Sequence, residues 1–207
     1  KPVVLLFCQQ HGNEPSGKEA ALILAANLLG RDKKILEQLD LILVPCLNPD
    51  GSELRQRRNG NDRDLNRNHV LLSEPETLAL HRLFQQWFPE VALDVHEYGA
   101  VSQWWVGQGM IKNADEMLGF LSNLNIDAGI RSFSQDVIYP AIEEKVRKDG
   151  YILFPYIVGA PVENERLRFS TNDIDDGRQG LGIYNTLSFI LEGKGYGDMA
   201  NELDRRS

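Results

Sequence analysis

The fold class is indicated by two consecutive segments, Pro2-Val-Val-Leu-Leu-Phe-Cys8 and Gly17-Lys-Glu-Ala-Ala-Leu-Ile-Leu-Ala-Ala-Asn-Leu-Leu-Gly30. The first is a short apolar run with β-branched valines, which predicts a buried strand. The second is rich in strong helix formers and closes on a glycine, which predicts a helix. A strand followed by a helix is the unit from which α/β proteins are built.

The same alternation continues along the chain. We expect further strands at 39–47, 91–96 and 186–192, helices at 74–88, 112–125, 136–148 and 196–205, and a long polar loop at 48–68. This order predicts an α/β sheet covered on both faces. With 207 residues and no internal repeat or linker-like stretch, residues 1–207 suit a single domain.

The composition is that of an ordinary globular protein, with 42% hydrophobic and 25% charged residues. No run approaches the roughly 18 apolar residues of a membrane span, so we expect none. A net charge of −8 argues against nonspecific binding to nucleic acid or anionic membranes, and we expect no nucleic-acid partner. The oligomeric state stays open, as does the compartment, cytoplasmic or secreted/periplasmic.

Two histidines and a glutamate follow or end predicted strands. His11 and Glu14, in the motif His11-Gly-Asn-Glu14, come after the first strand, and His96 ends the third. Ligands of open α/β sheets gather at the carboxyl ends of strands, so these side chains should converge. Two imidazoles and a carboxylate can supply the three protein ligands of a catalytic zinc, which lowers the pKa of a bound water to about 7. We therefore predict one Zn²⁺ per chain.

Further motifs follow in a fixed order: Asn48-Pro-Asp-Gly51, Arg57, Asp64-Leu-Asn-Arg-Asn68 and finally Glu192. Together with the first motif and His96, they resemble the zinc carboxypeptidases of the M14 class, the funnelin metallopeptidases. The resemblance runs from His11 to Glu192 and is loose between residues 101 and 178. It implies a three-layer α/β/α fold with a mixed, mostly parallel sheet, and a metallopeptidase that removes the C-terminal residue of a peptide.

The resemblance also implies roles for residues of the arginine-rich loop. Asn66 and Arg67 would hold the terminal carboxylate of the substrate, because a guanidinium binds carboxylates bidentately and stays charged. Arg57 would stabilise the developing oxyanion. Asp64 would accept a hydrogen bond from His11 and so fix its tautomer.

Glu192 ends the apolar stretch at 187–192. A carboxylate there is partly desolvated, which raises its pKa toward the range useful for a general base. The resemblance gives it the matching role, in which Glu192 deprotonates the attacking water and later protonates the leaving amine.

Two features depart from the family pattern. Family members usually carry a substrate-contacting tyrosine upstream of the catalytic glutamate, whereas Tyr184 is interpreted here as a packing residue. His69 stands where the family usually has an aromatic or aliphatic residue, and neither His69 nor His81 is expected to bind metal. The chain also starts at Lys1 and is short at its front, so we expect a processed or trimmed N-terminus.

Two other functions remain as alternatives. A deacylase of the aspartoacylase and succinylglutamate desuccinylase type also opens on the motif His11-Gly-Asn-Glu14 and would act on N-acyl amino acids. Such enzymes usually lack the motif found here at 48–51. A noncatalytic zinc- or peptide-binding module would have no need of the base Glu192.

Overall fold

A computed structural model describes residues 1–100, 103–158 and 168–195. The strands are β1 Val3–Cys8, β2 Asp40–Val44, β3 Val91–Gly99, β4 Glu116–Gly119, β5 Leu153–Pro155, β6 Ile157–Val158, β7 Arg168–Phe169 and β8 Leu187–Gly195. The α-helices are α1 Ser16–Leu29, α2 Pro49–Leu54, α3 Pro75–Trp87, α4 Gln103–Gly107, α5 Ala128–Phe133, α6 Tyr139–Lys148 and α7 Gly177–Gly182. Shorter turns are the 3₁₀ segments Lys33–Glu37 and Leu65–Arg67 and the π turn Ser134–Ile138.

Within these ranges, six strands form one mixed sheet in the order β2-β1-β3-β8-β4-β5. The first four run parallel to one another, and β4 and β5 run in the opposite direction. A separate antiparallel pair joins β6 to β7. The prediction of a mixed, mostly parallel sheet is therefore confirmed.

Helices cover both faces of the sheet, and the side chains of β3 alternate between two apolar clusters, with Ala92 in one and Leu93 in the other. One cluster packs the sheet against α3 and α7: Leu5, Phe7, Ala92, Leu80, Phe84 and Leu181. The other packs it against α6: Leu93, Phe189, Leu118 and Tyr139. The three-layer α/β/α prediction is confirmed, and none of the helices described in this structure is long and apolar enough to cross a membrane.

Several element predictions need correction. The helix expected at 112–125 is wrong, because β4 lies there and pairs with both β8 and β5. Its buried residues Met117 and Leu118 enter different apolar clusters, which is the two-residue period of a strand and not that of a helix. The loop expected at 48–68 contains α2 and a 3₁₀ turn. The helix expected at 196–205 lies outside the described residues.

Three predicted elements extend further than expected, and one of them is the strand at 186–192, which continues to Gly195. The helix at 136–148 begins earlier, because α5 and a π turn lead directly into α6. The strand at 91–96 continues to Gly99, so His96 lies inside β3 and not at its end. This extension matters for function, because it carries His96 past the end of β1, whose last partner on β3 is Val95.

The loops after β1 and β2 are locked together by a close contact between two glycines. A Cβ atom on Gly12 would lie 1.9 Å from the carbonyl carbon of Gly51, so no other residue fits there. The side chain of Asn48 accepts a hydrogen bond from Gly51 N at 2.8 Å and donates one to Gln10 O at 2.9 Å. The two motifs are thus one interlocked unit, which fixes the position of His11.

Candidate active site

Three side chains converge where the chain leaves β1 and passes the inner part of β3, and we call them the ligand cluster: His11, Glu14 and His96. Their candidate ligand atoms lie within 4.8 Å of one another. Glu14 places one carboxylate oxygen 2.8 Å from Nδ1 of His11 and the other 2.9 Å from Nδ1 of His96. The two Nδ1 atoms are 3.1 Å apart. The structure therefore brings together the three residues predicted to bind zinc.

Each histidine of the cluster turns its second ring nitrogen toward an aspartate. Nε2 of His11 lies 3.2 Å from Asp64, and Nε2 of His96 lies 2.8 Å from Asp94. Both Nδ1 atoms face the cluster, and each aspartate, which can only accept, would take the Nε2 proton when Nδ1 binds a metal. Metal-ligating histidines usually have this arrangement, in which an outer partner fixes the tautomer.

The electrostatics of the cluster favour a bound cation. Burial alone would raise the pKa of Glu14, but hydrogen bonds from His11 and His96 outweigh it and lower that pKa to about 2. Burial would lower the pKa of His96, whereas the carboxylates of Asp94 and Glu14 raise it well above its usual value. The site thus holds an ionised carboxylate and attracts positive charge. Two imidazoles and one carboxylate fit the ligand set of a catalytic zinc.

Glu192 lies beside the cluster because β8 pairs with β3. His96 and Glu192 are direct partners in the parallel register, so both side chains project from the same face of the sheet. Glu192 lines a cavity of about 200 Å³ together with His11 and Glu14. Burial, with a further contribution from the charge of Glu14, raises the pKa of Glu192 to about 7. A carboxyl group with that pKa can both accept and return a proton near neutral pH.

The raised pKa of Glu192 predicts that the free energy of unfolding depends on pH. Below pH 4.5 Glu192 is protonated in both states, but between about 4.5 and 7 only the unfolded chain loses the proton, so the free energy of unfolding falls as pH rises. We expect Glu192→Gln to stabilise the metal-free protein by up to about 3 kcal/mol at pH 8 and not at pH 4. Urea unfolding in the presence of chelator measures this difference, and an equal effect at both pH values would contradict it.

Arg57 lies over the cluster and bridges it to Asp64. Its Nε donates to Asp64 at 3.0 Å, and one terminal nitrogen lies 3.3 Å from Nδ1 of His11 and 3.9 Å from Glu14. The same carboxylate of Asp64 therefore faces both His11 and Arg57. Arg57 lines the cavity, which leaves its guanidinium next to any atom bound there.

Asn66 and Arg67 also line the cavity. The oxygen of the Asn66 side chain accepts from Gly177 N at 2.7 Å, while its nitrogen lies 3.3 Å from Nε2 of His96. Arg67 is held by a hydrogen bond of 2.5 Å to the carbonyl oxygen of Asn66. Of the amide group of Asn66, only the nitrogen can therefore serve a ligand.

The sequence profile of the Peptidase_M14 family, described as zinc carboxypeptidase, matches residues 1–118. This chain belongs to the zinc carboxypeptidase family. Carboxypeptidase 2 of Trichophyton tonsurans is 31% identical over 202 residues, which cover 95% of this chain and 38% of that protein. Carboxypeptidase E of Caenorhabditis elegans is 32% identical over 167 residues, which cover 68% of this chain and 35% of that protein. This family member thus spans less than two fifths of the length of these curated relatives.

Solved structures show the same fold. A metallo-carboxypeptidase from Burkholderia cenocepacia superimposes with a TM-score of 0.69 at 18% identity, over 97% of this chain and 50% of that one. A metallo-carboxypeptidase from Pseudomonas aeruginosa gives a TM-score of 0.65 at 19% identity, over 93% and 48%. The zinc carboxypeptidase fold is therefore shared across sequences that have diverged widely.

Sequence reasoning missed three residues near the site of this zinc carboxypeptidase family member. Asp94 precedes His96 by two positions, so the period of a strand was a usable signal that both share a face. Tyr156 and Lys112 line the cavity from segments with no recognisable motif. Tyr184 lies elsewhere, with its ring 5.5 Å from that of Phe84, as expected for a packing residue.

Proposed function

We propose that this chain is a zinc-dependent carboxypeptidase that hydrolyses the C-terminal peptide bond of peptides. The observation that carries the proposal is that His11 and Glu14 of the ligand cluster open, together with Glu192 and Arg57, onto one cavity of about 200 Å³. Membership of the zinc carboxypeptidase family supports the metal and the reaction class. The cluster would hold one zinc ion per chain, and residues 1–207 would act as one catalytic domain, since strands from both halves of the chain share a sheet.

Glu192 would manage the protons of the reaction. Its carboxylate would take a proton from the attacking water and return it to the nitrogen of the leaving amine. Zinc, when bound by the ligand cluster, supplies a Lewis acid that polarises water and the scissile carbonyl. Burial of Glu192 keeps its pKa at about 7, so the group is a stronger base than an ordinary glutamate.

Arg57 would stabilise the negative charge that develops on the carbonyl oxygen. The hydrogen bond from its Nε to Asp64 holds the guanidinium in place before substrate arrives, so little reorganisation is needed. The same Asp64 accepts from His11, and Asp64 therefore orients two members of the site at once.

Arg67 and Asn66 would bind the free carboxylate of the substrate. A guanidinium recognises a carboxylate by both geometry and charge. The amide nitrogen of Asn66 carries two N–H donors, so it can donate a further hydrogen bond to the same group, while its oxygen accepts from Gly177. The pair would thus select a chain end over an internal peptide bond.

We expect a peptide with a free C-terminus to be cleaved much faster than the same peptide amidated, and Arg67→Ala to erase this preference. Loss of a desolvated charge partner costs about 2–5 kcal/mol, so kcat/KM on the free acid should fall at least about thirty-fold. Release of the free amino acid, measured for both peptides with both proteins, tests the expectation.

The matched control is Arg58→Ala. Arg58 belongs to the same loop but forms an exposed ion pair with Asp62 at 3.3 Å and does not line the cavity. Its removal should leave the preference intact. Equal rates of wild type on free and amidated peptides would favour an endopeptidase. Cleavage of N-acyl amino acids in place of both peptides would favour a deacylase.

A further inference from the structure

A buried chain of side chains extends from the ligand cluster into the core. Asp94 faces Nε2 of His96 at 2.8 Å with one oxygen, and its other oxygen accepts from Nε2 of Gln10 at 2.8 Å. The oxygen of the Gln10 amide lies 2.8 Å from Nε2 of His69, and Nδ1 of His69 lies 3.0 Å from Nε2 of His81. All five residues are at most 4% exposed, so water does not compete for these contacts.

The direction of these hydrogen bonds is fixed by a main-chain donor. Gly177 N can only donate, and it lies 2.7 Å from the side-chain oxygen of Asn66. Nε2 of Gln10 lies near that oxygen at 3.3 Å and near the carboxylate of Asp94, and both are acceptors. The nitrogen of the Gln10 amide must therefore face Asp94. Its oxygen must accept from His69, whose Nε2 then carries the proton.

The last hydrogen bond of this series of side chains, between His69 and His81, has the same donor-to-acceptor direction. Burial lowers the pKa of His69 to about 3, so its ring is neutral and Nδ1 is an acceptor. Nε2 of His81 must then donate to it. Each donor in this series of side chains thus points toward Asp94.

The two aspartates that face the ligand cluster are held in different ways. Asp64 is half-buried and is held by the guanidinium of Arg57 at 2.9 Å. Asp94 is fully buried and receives the neutral amide of Gln10 on its outer oxygen. Leaving that buried oxygen unpaired costs about 1–3 kcal/mol, or more for a charged group, so Asp94 would rotate or draw in another donor. The contact of Asp94 with Nε2 of His96 therefore depends on Gln10.

We infer that Gln10 and His69 are positioning residues, which hold the carboxylate of Asp94 against Nε2 of His96 so that Nδ1 is presented to zinc. The inference rests on the proposed function, since it takes the ligand cluster as the zinc site. It also accounts for a histidine at position 69, where an aromatic or aliphatic residue was expected: an imidazole supplies the donor that sets the orientation of Gln10.

The test measures zinc affinity by competition with a chelator and the tautomer of His96 by ¹⁵N–¹H NMR of the zinc-loaded protein. Gln10→Met should weaken zinc binding about 10–100-fold, the usual effect of losing an outer partner, and should shift or broaden the Nε2–H resonance of His96. His69→Phe should weaken binding by a smaller factor of about three to ten, because it acts one link further away. His69→Gln should show the wild-type zinc affinity and the wild-type His96 resonance, since its amide can donate to Gln10.

His81→Phe is the matched control, because it removes an equally buried imidazole that does not contact Gln10. It should lower thermal stability without changing zinc affinity. Unchanged zinc affinity and an unchanged His96 resonance in folded His69→Phe would overturn the inference. If Gln10→Met does not fold, His69→Phe alone tests the inference. Neither readout depends on turnover. If zinc affinities follow the expected order and no peptide is cleaved, the proposed function fails and the positioning role stands.

Discussion

Glu192→Gln is expected to lower kcat by about 10²–10⁴-fold while leaving the affinity for zinc unchanged. The amide keeps the size of the side chain and its place beside the ligand cluster, but it can neither take the proton from water nor return it to the amine. Because His96 and Glu192 are paired in the strand register, the substitution should not move the metal ligands. Steady-state kinetics on a free-acid peptide, together with zinc titration, measures both effects.

Glu116→Gln provides the control for this experiment. Burial raises the pKa of Glu116 to about 7 as well, yet Glu116 does not line the cavity. Loss of that carboxylate should leave kcat within a few-fold of wild type, since Glu116 touches no reacting atom. Near wild-type turnover in Glu192→Gln would remove Glu192 as the base, and loss of zinc would make it a ligand.

His96→Ala is expected to abolish both zinc binding and peptide hydrolysis, because it removes one of three protein ligands and opens a void in a buried site. The loss of zinc affinity should exceed the 10–100-fold that is typical of outer partners. Asp64→Asn gives the graded comparison, since Asp64 contacts His11 from outside the cluster and should fall within that range. Metal analysis of wild type should give one zinc per chain.

Three results would contradict the ligand assignment. One is a His96→Ala protein that retains a full equivalent of zinc with wild-type affinity. Another is a larger loss in Asp64→Asn than in His96→Ala, because it would exchange the roles of ligand and outer partner. The third is a wild-type stoichiometry of two, because His11, Glu14 and His96 are the one group of suitable side chains found among the described residues.

The parts of the fold that follow local pattern could be predicted from sequence. The apolar run of β1 and the helix-forming residues of α1 indicate their own structure, and the motifs that follow β1 and β2 bring the loop of His11 to Asn48. β4 could not be predicted in this way, because residues 112–125 have helix-like composition. Within them only residues 116–119 form a strand, which pairs with the edge of β8 on one side and with β5 on the other.

The residues of the candidate site likewise divide into those that local sequence predicts and those that it does not. Glu14 and Asp64 lie in motifs whose residue order alone suggests their roles. Tyr156 reaches the cavity through the turn between β5 and β6, and nothing in its neighbours marks it. Gln10 donates to Asp94 and His69 donates to Gln10, and only the assembled fold brings positions 10, 69 and 94 together.

The pairing of β3 with β8 has a consequence for how this chain can change. His96 and Glu192 face each other across hydrogen-bonded backbone, so the spacing between these two side chains is set in steps of the strand repeat and not by a loop of adjustable length. A one-residue insertion or deletion in β8 before Glu192 would turn its carboxylate through the sheet, to the side on which Leu191 now packs. Such a shift would leave every side chain of the candidate site intact and would abolish the proposed activity. Length changes should therefore be tolerated in the connecting loops and excluded from the few residues of β8 that precede Glu192.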